Sequence, residues 1–312
     1  MIEKPMKFKG KHKKNKYFEG WYYKFVSKDE ITTLSLIPGV SINKKNPHAF
    51  IQVIYKSLNT VTTKYLTYDI KTFKYDYDSN TVWIEKNKFS LSQIDLSYED
   101  LDFKVDVSLR INNLVPIKTT FIKPSIMGFF HYLPFMECKH DVVSMNHEVI
   151  GTLNFNGIEK DFTEGKGYIE KDFGRSFPIS YVWIQSNNFA NDSTSIMFSY
   201  AKIPYLGLRF NGFIINFIFN NKEYRFATYN LSKTKLKLKS ENQVIFEVKK
   251  RGYRLVVDAM NSKTVALASP KEGLMDHYIK EGLSGEVKVT LYKRDKILFD
   301  EIGKNAGIEI ML

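Results

Sequence analysis

Carboxylates set among aromatic and amide side chains are the groups in this chain best suited to chemistry, and most of them fall within Gly165 to Phe189, GKGYIEKDFGRSFPISYVWIQSNNF. On a strand, successive side chains alternate between the two faces. Alternation puts Tyr168, Glu170 and Asp172 on one face. Further along it groups Trp183, Gln185, Asn187 and Phe189, with Val182, Ile184, Ser186 and Asn188 opposite. A face that mixes aromatic walls with a few hydrogen-bonding groups suits a ligand cavity. A solvated hairpin stapled by aromatics would show the same spacing. A second stretch, Tyr17-Phe18-Glu19-Gly20-Trp21-Tyr22-Tyr23-Lys24, repeats the theme, with Tyr17, Glu19, Trp21 and Tyr23 sharing a face. Burial raises a carboxyl pKa, and a neutral acid in an apolar cavity can protonate a base as weak as an alkene. Trp and Tyr faces would then stabilise the resulting carbocation. Such chemistry requires neither metal nor redox cofactor, so no cofactor is expected.

Other chemistries find little support. Cys138, His140 and His147 form a C-x-H…H cluster, but without a C-x-x-C or H-x-x-x-H pair no zinc site is expected. Gly165-x-Gly167 is followed by no Gly-Lys-Ser/Thr, and no strand-turn-helix context supports a dinucleotide fingerprint. No G-x-S-x-G elbow is present, and nothing recommends a particular serine as nucleophile.

The elements that must position these groups read as strands. Leu101 to Ile111 has the cleanest alternation, Phe103, Val105, Val107, Leu109 and Ile111 against Lys104, Asp106, Ser108 and Arg110, which predicts a half-buried antiparallel strand. Thr33 to Ile37 and Phe50 to Tyr55 are further strands. Asn156-Gly157 is a type I′ hairpin signal. Hairpins are also expected about Asn220-Asn221-Lys222 and Lys293 to Lys296, and Lys233 to Lys239 reads as a strand with one basic face. The best helical candidate is Lys271 to Glu281. Pro124 to Cys138, apolar and aromatic but broken by Gly128 and Pro134, is too short to cross a bilayer; it reads as a buried connector between domains, a cavity lid or a membrane-touching loop. Short strands with polar turns predict an all-β protein of sandwiches or barrels with few short helices.

At 312 residues, two domains are the natural expectation. A faint echo of Tyr17-Phe18-Glu19 with Trp21 in Tyr168-Ile169-Glu170 with Trp183 suggests two similar halves. The expected division is a basic arm over 1–16, one β-domain over 17–155 and another over 156–312. The net charge of +12 fits a polyanionic partner, and seven lysines fall between Lys4 and Lys16. This arm, a solvated terminus on a bland reading, could meet an anionic membrane surface; no nucleic-acid motif accompanies it. The lone Cys138, the lack of a signal sequence and the lack of a long apolar run point to a cytoplasmic protein, peripheral to the membrane if it touches one.

Three of these motifs resemble the tocopherol cyclase family: Phe18-Glu19-Gly20-Trp21-Tyr22-Tyr23-Lys24, the run Tyr168-Ile169-Glu170-Lys171-Asp172-Phe173-Gly174-Arg175-Ser176-Phe177-Pro178, and Trp183-Ile184-Gln185-Ser186-Asn187. The tail Gly303 to Glu309 is similar to that family's end, so the likeness runs through nearly the whole chain. The resemblance implies two lipocalin-like (calycin-type) β-barrels in tandem, related to carotenoid hydratases, and a redox-neutral cyclisation in which a prenyl double bond is protonated and a phenol oxygen traps the cation. On that basis Glu170 or Glu19 is the expected proton donor. Trp21, Tyr23, Tyr168, Asp172 and Trp183 are the expected substrate walls, and Gln185 and Asn187 the head-group ligands. Plant members carry Asn and Trp where this chain has Asp172 and Phe173, so no acid role extends to Asp172. Lys171 could pair with either carboxylate and lower its pKa. A non-catalytic carrier of a hydrophobic isoprenoid or lipid is the alternative that the same barrels would serve.

Overall fold

The computed structural model describes residues 3–58 and 60–312, and its architecture is all-β. Apart from a helical turn at Glu3–Met6 and three 3₁₀ turns, every regular element is a strand. The first sheet contains β1 (Tyr17–Val26), β2 (Thr32–Ile42), β3 (His48–Ser57), β4 (Thr60–Asp69), β5 (Phe73–Asp76) and β6 (Thr81–Ile84). It continues with β7 (Asn87–Phe89), β8 (Gln93–Glu99), β9 (Lys104–Asn112), β10 (Cys138–Phe155), β11 (Ile158–Asp161) and β12 (Gly165–Gly174). The second holds β13 (Tyr181–Ser186), β14 (Ser195–Tyr205), β15 (Leu208–Phe219), β16 (Lys222–Ala227) and β17 (Lys233–Ser240). It ends with β18 (Gln243–Lys250), β19 (Tyr253–Met260), β20 (Thr264–Lys271), β21 (Leu274–Lys293) and β22 (Lys296–Met311).

Strand order in the first sheet is β4-β3-β2-β1-β12-β10-β9-β8-β7-β6-β5, with β11 beside β10. In the second it is β16-β15-β14-β13-β22-β21-β19-β18-β17, with β20 beside β21. The end strands of each path feed a common core: Leu66 of β4 with Phe73 and Tyr75 of β5 in the first, Phe226 of β16 with Leu236 of β17 in the second. Each sheet therefore curls around its own apolar interior, as expected for a barrel-like domain. The alternation read in β9 holds, since Val105, Val107, Leu109 and Ile111 are buried between exposed or half-buried polar residues. The Asn156-Gly157 turn also forms, with φ values of 49° and 83°.

The chain divides into two compact units, but not at residue 155. The first comprises Met1–Pro116, Cys138–Phe177 and Ala268–His277; the second Ile117–Glu137, Pro178–Leu267 and Tyr278–Leu312. The reason is strand pairing. β12 hydrogen-bonds to β1 on one side and β10 on the other, so Gly165–Gly174 completes the first sheet. The apparent echo between the two aromatic-acid motifs has the same origin: they are antiparallel neighbours, with Glu19 opposite Phe173 and Tyr22 opposite Glu170. They are not equivalent parts of a repeat. Residues 268–277 join the first unit through Gln52, whose amide exchanges two 3.0 Å hydrogen bonds with the Ala268 backbone, and through Ser41, which donates to the Gly273 carbonyl at 2.6 Å. The helix expected over 271–281 is absent. Glu272 and Gly273, at φ 54° and 79°, make the turn between β20 and β21, and pairing of Glu281 with Glu309 fixes the following residues as strand.

The N-terminal arm is anchored over residues 6–10. Met6 is fully buried in the first core, and Phe8 packs against Trp21, Phe73 and Tyr75. Lys11, Lys13, Lys14 and Lys16 remain exposed. Pro124–Cys138 spans the end of a segment of the second unit and the first residue of β10; Ile126 and Met127 are buried, whereas Phe129, Tyr132 and Phe135 are exposed.

Candidate functional site

The two faces of β1 and β12 divide the sequence candidates into two groups with different jobs. One face looks into the first core. There Glu19 and Lys171, both fully buried, form a 2.9 Å ion pair. Glu19 also accepts from the Lys9 and Gly10 backbone amides at 2.9 to 3.1 Å and from the Tyr17 hydroxyl at 2.6 Å. Lys171 donates to the Lys7 carbonyl at 2.7 Å and sits over the rings of Phe173 and Trp21. The Trp21 indole N–H donates to the Met6 carbonyl at 3.0 Å. A buried charge is tolerable only when paired and hydrogen-bonded, and here the pairing clamps residues 6–10. Both Glu19 oxygens are occupied by these donors, so neither is placed to pass a proton to a ligand. Trp21 and Tyr23 are likewise fully enclosed in the core. The pairing expected of Lys171 falls on Glu19.

The opposite face of the same strands carries Tyr168, Glu170 and Asp172 of β12, joined by His140, which the register places beside Asp172 on β10. Tyr168 donates to Glu170 Oε2 at 2.6 Å. His140 lies between the two acids, Nδ1 at 2.9 Å from Asp172 Oδ1 and Nε2 at 3.4 Å from Glu170 Oε2. Burial pushes the His140 pKa down, but Asp172 and Glu170 more than compensate, and the balance raises it to about 9. At neutral pH this favours the protonated imidazole, with its Nδ1–H on Asp172 and its Nε2–H facing Glu170. Burial and the neighbouring Glu170 hold the Tyr168 phenol well above its ordinary pKa, so it stays a donor. Tyr168 is fully buried, whereas the His140 and Asp172 side chains retain 14% and 22% of their exposure, so the cluster opens at that end. Tyr22 and Lys24, buried on the same face of β1, stand opposite Glu170 and Tyr168 in register.

His140, Glu170 and Asp172 also form the group that could hold a metal ion, with one ligand atom from each lying within 4.8 Å of the others. A cation there would have to displace the His140 proton, because a coordinating imidazole is neutral. The second histidine of the sequence cluster is separate. His147 is buried against Phe25, and burial lowers its pKa to about 3. His140 was not among the sequence candidates because it lies outside the recognised motifs; its parity with Asp172 emerges only once β10 is known to pair with β12.

In the second unit, β13 presents Tyr181, Trp183 and Gln185 on one face, while Val182 and Ile184 enter the core. Asn187 stays near this face, with the Gln185 amide 3.5 Å from its Oδ1. Phe189 does not. The strand ends at Ser186, Asn188 bridges to Lys304, and Phe189 turns into the core against Phe299. Glu309, opposite Trp183 on β22, accepts from the Tyr181 hydroxyl at 2.5 Å, and Glu281 lies beside Glu309 on β21. A separate groove of about 400 Å³ in the first unit is lined by Lys86, Asp95, Asp106 and Glu159, and lacks aromatic walls for a hydrophobic ligand.

Residues 116–312 match the family model described as tocopherol cyclase-like. The FEGWYYK motif thus lies outside the matched region, although Tyr168 to Asn187 lies inside it. Among solved structures, CghA in complex with Sch210972 is similar at a TM-score of 0.62 and 10% identity, over 95% of this chain and 88% of that one. CghA crystallised alone gives 0.63 with the same identity and coverage. Kievitone hydratase from Nectria haematococca gives 0.55 at 10% identity, over 94% and 88% of the two chains. Identities this low establish the shared fold. No curated protein matches the sequence.

Proposed function

We propose, for a chain that belongs to the tocopherol cyclase-like family, that it catalyses a redox-neutral, acid-driven addition to the double bond of a prenylated phenol or another isoprenoid. The observation that carries the reading is the placement of His140 between Glu170 and Asp172, 3.4 Å and 2.9 Å away. The proton moves from this cluster to the less substituted alkene carbon, and a tertiary cation forms at the other. An oxygen nucleophile closes onto the cation and releases its own proton to the cluster, which returns to its starting state. With a phenol oxygen of the same molecule the result is cyclisation; with water it is hydration. The transfer runs from His140 Nε2 to Glu170 Oε2, 3.4 Å away, leaving a neutral imidazole and a neutral carboxylic acid; Glu170, oriented by the Tyr168 hydroxyl, then delivers the proton. Asp172 acts through His140 by keeping the imidazole charged. Trp183, Gln185 and Asn187 form, within the second unit by itself, an aromatic and amide face that we propose binds an aromatic or polar ligand group.

Two structural neighbours support a small-molecule reading, kievitone hydratase by its name and CghA by its bound Sch210972. The test is conversion of a prenylated hydroquinone followed by mass spectrometry. Wild type should yield an isomer of unchanged mass, or a product heavier by one water, and Glu170→Gln should lower the rate by about 10²-fold or more, the usual scale of a lost general acid. Unchanged substrate with tight binding by both proteins would favour the carrier instead.

A further inference from the structure

Turns that need a left-handed backbone are normally filled by Gly, Asn or Asp, because a larger side chain crowds the following carbonyl. Asn80, Asn113, Asn156, Asn220, Asn221 and Asn305 obey, while the other non-glycine residues there are long charged side chains, whose heads stay in water, or apolar. The apolar ones among the described residues are Leu58, Phe135, Leu206 and Leu231. Three of the four belong to the second unit, at φ values of 62°, 48° and 62°, and they are 80%, 72% and 89% exposed. An exposed apolar side chain at a strained position contributes nothing to the core, and Asn would serve the backbone better.

The segments that carry these residues are linked. The Tyr132 hydroxyl donates to the Phe121 carbonyl at 2.6 Å, and the Phe130 ring contacts Phe129, Phe210 and Tyr229. These contacts join residues 121–135, the β14–β15 tip and the turn before Leu231. The resulting surface also exposes Phe121, Ile122, Phe129, Tyr132 and Leu208, an apolar area unusual for a free protein surface. Its charge is mostly positive. Ile117–Glu137 holds one acid, Glu137, and residues 201–210 and 225–233 hold none, against Lys118, Lys123, Lys202, Arg209, Arg225 and Lys233. Lys250 and Arg251 gather beside Lys123 and Arg225, and burial together with this crowding pushes the Lys250 pKa down. Glu223, the acid in contact with the segment, is paired to Arg225.

We infer that this face of the second unit docks onto an anionic lipid surface, with Phe121, Phe135, Leu206, Leu208 and Leu231 entering the interface and the surrounding lysines and arginines meeting the headgroups. Aromatic and leucine side chains flanked by cations are the combination that partitions into such a boundary. A predominantly cationic rim around large apolar side chains on strained turns favours a lipid surface over a protein partner. The expected membrane contact thus moves from the N-terminal arm to this surface, and the inference holds whether the protein is enzyme or carrier.

The test is flotation of the full chain with vesicles of phosphatidylcholine, with or without phosphatidylserine. Wild type should float with the anionic vesicles and be released by high salt. Phe135→Asn, Leu206→Asn and Leu231→Asn together should reduce binding by roughly tenfold or more while leaving the thermal midpoint unchanged or higher, because Asn suits all three backbones. Replacing Lys11, Lys13 and Lys14 by Gln should change binding far less. The inference fails if wild type does not bind anionic vesicles, if the triple variant binds as wild type does, or if the variant instead abolishes a dimer seen by sedimentation, which would make a second copy the occupant.

Discussion

Glu19 and Glu170 lie on paired strands within aromatic motifs, yet their surroundings give them opposite roles. Glu19 faces a lysine and three backbone or phenol donors; Glu170 faces a tyrosine hydroxyl and a charged histidine. A buried carboxylate held by a permanent cation is a structural anion, whereas two carboxylates around a titratable imidazole hold a transferable proton. The direction of the His140 shift gives a prediction. Its pKa stands above the ordinary 6.5, so the stability it contributes is complete below pH 6.5 and is lost as pH rises through about 9. Proton-dependent turnover should fall over the same upper range. A nitrogen-15 NMR titration should find the His140 midpoint near 9, and Asp172→Asn should move it down; a midpoint at or below 6.5 in wild type would remove the stored proton. The carboxylate pattern of Tyr168, Glu170 and Asp172 was legible in the sequence because strand alternation groups the three. His140 was not, because its place depends on the long-range pairing of β10 with β12.

At the scale of elements, β1 and β12 fix both the clamp and the acid cluster, one on each face. Breaking the Glu19–Lys171 pair from one side leaves a buried charge without its partner. Glu19→Gln should therefore destabilise the protein by about 3–5 kcal/mol, read from the urea midpoint, and Glu19→Gln with Lys171→Met should lose less than the single variant. A truncation after Gly10 should destabilise as well, because it exposes Trp21 and strips Glu19 of two backbone donors. If the truncated chain is as stable as the whole, residues 6–10 are a loose strap and the clamp has no structural weight. Local patterns such as the β9 alternation and the Asn156-Gly157 turn could be read from sequence because they depend on neighbours a few residues away. The arm could not: its lysines read as solvated, while Met6 and Phe8, which carry the anchoring contacts, are two apolar residues among many charges.

For the whole molecule, two curled sheets were foreseeable from strand-rich composition and turn spacing, but their division was not. The chain passes into the second unit at Ile117, returns at Cys138 and contributes residues 268–277 to the first unit late in the sequence. Composition does not change at these crossings, so no local signal marks them. The aromatic segment after Pro124 likewise fitted a buried connector as well as a membrane-touching loop. The exposure of Phe129, Tyr132 and Phe135 argues against a wholly buried connector.

If the proposed chemistry holds, a proton from the His140–Glu170–Asp172 cluster reaches a carbon of the substrate. Turnover of a prenylated hydroquinone in deuterium oxide, with the product examined by mass spectrometry and NMR, reads this directly. A single deuterium is expected on the carbon next to the new C–O bond in the wild-type product, with label and product lost together in Glu170→Gln. Product without carbon-bound deuterium, or undiminished labelling by Glu170→Gln, would contradict it.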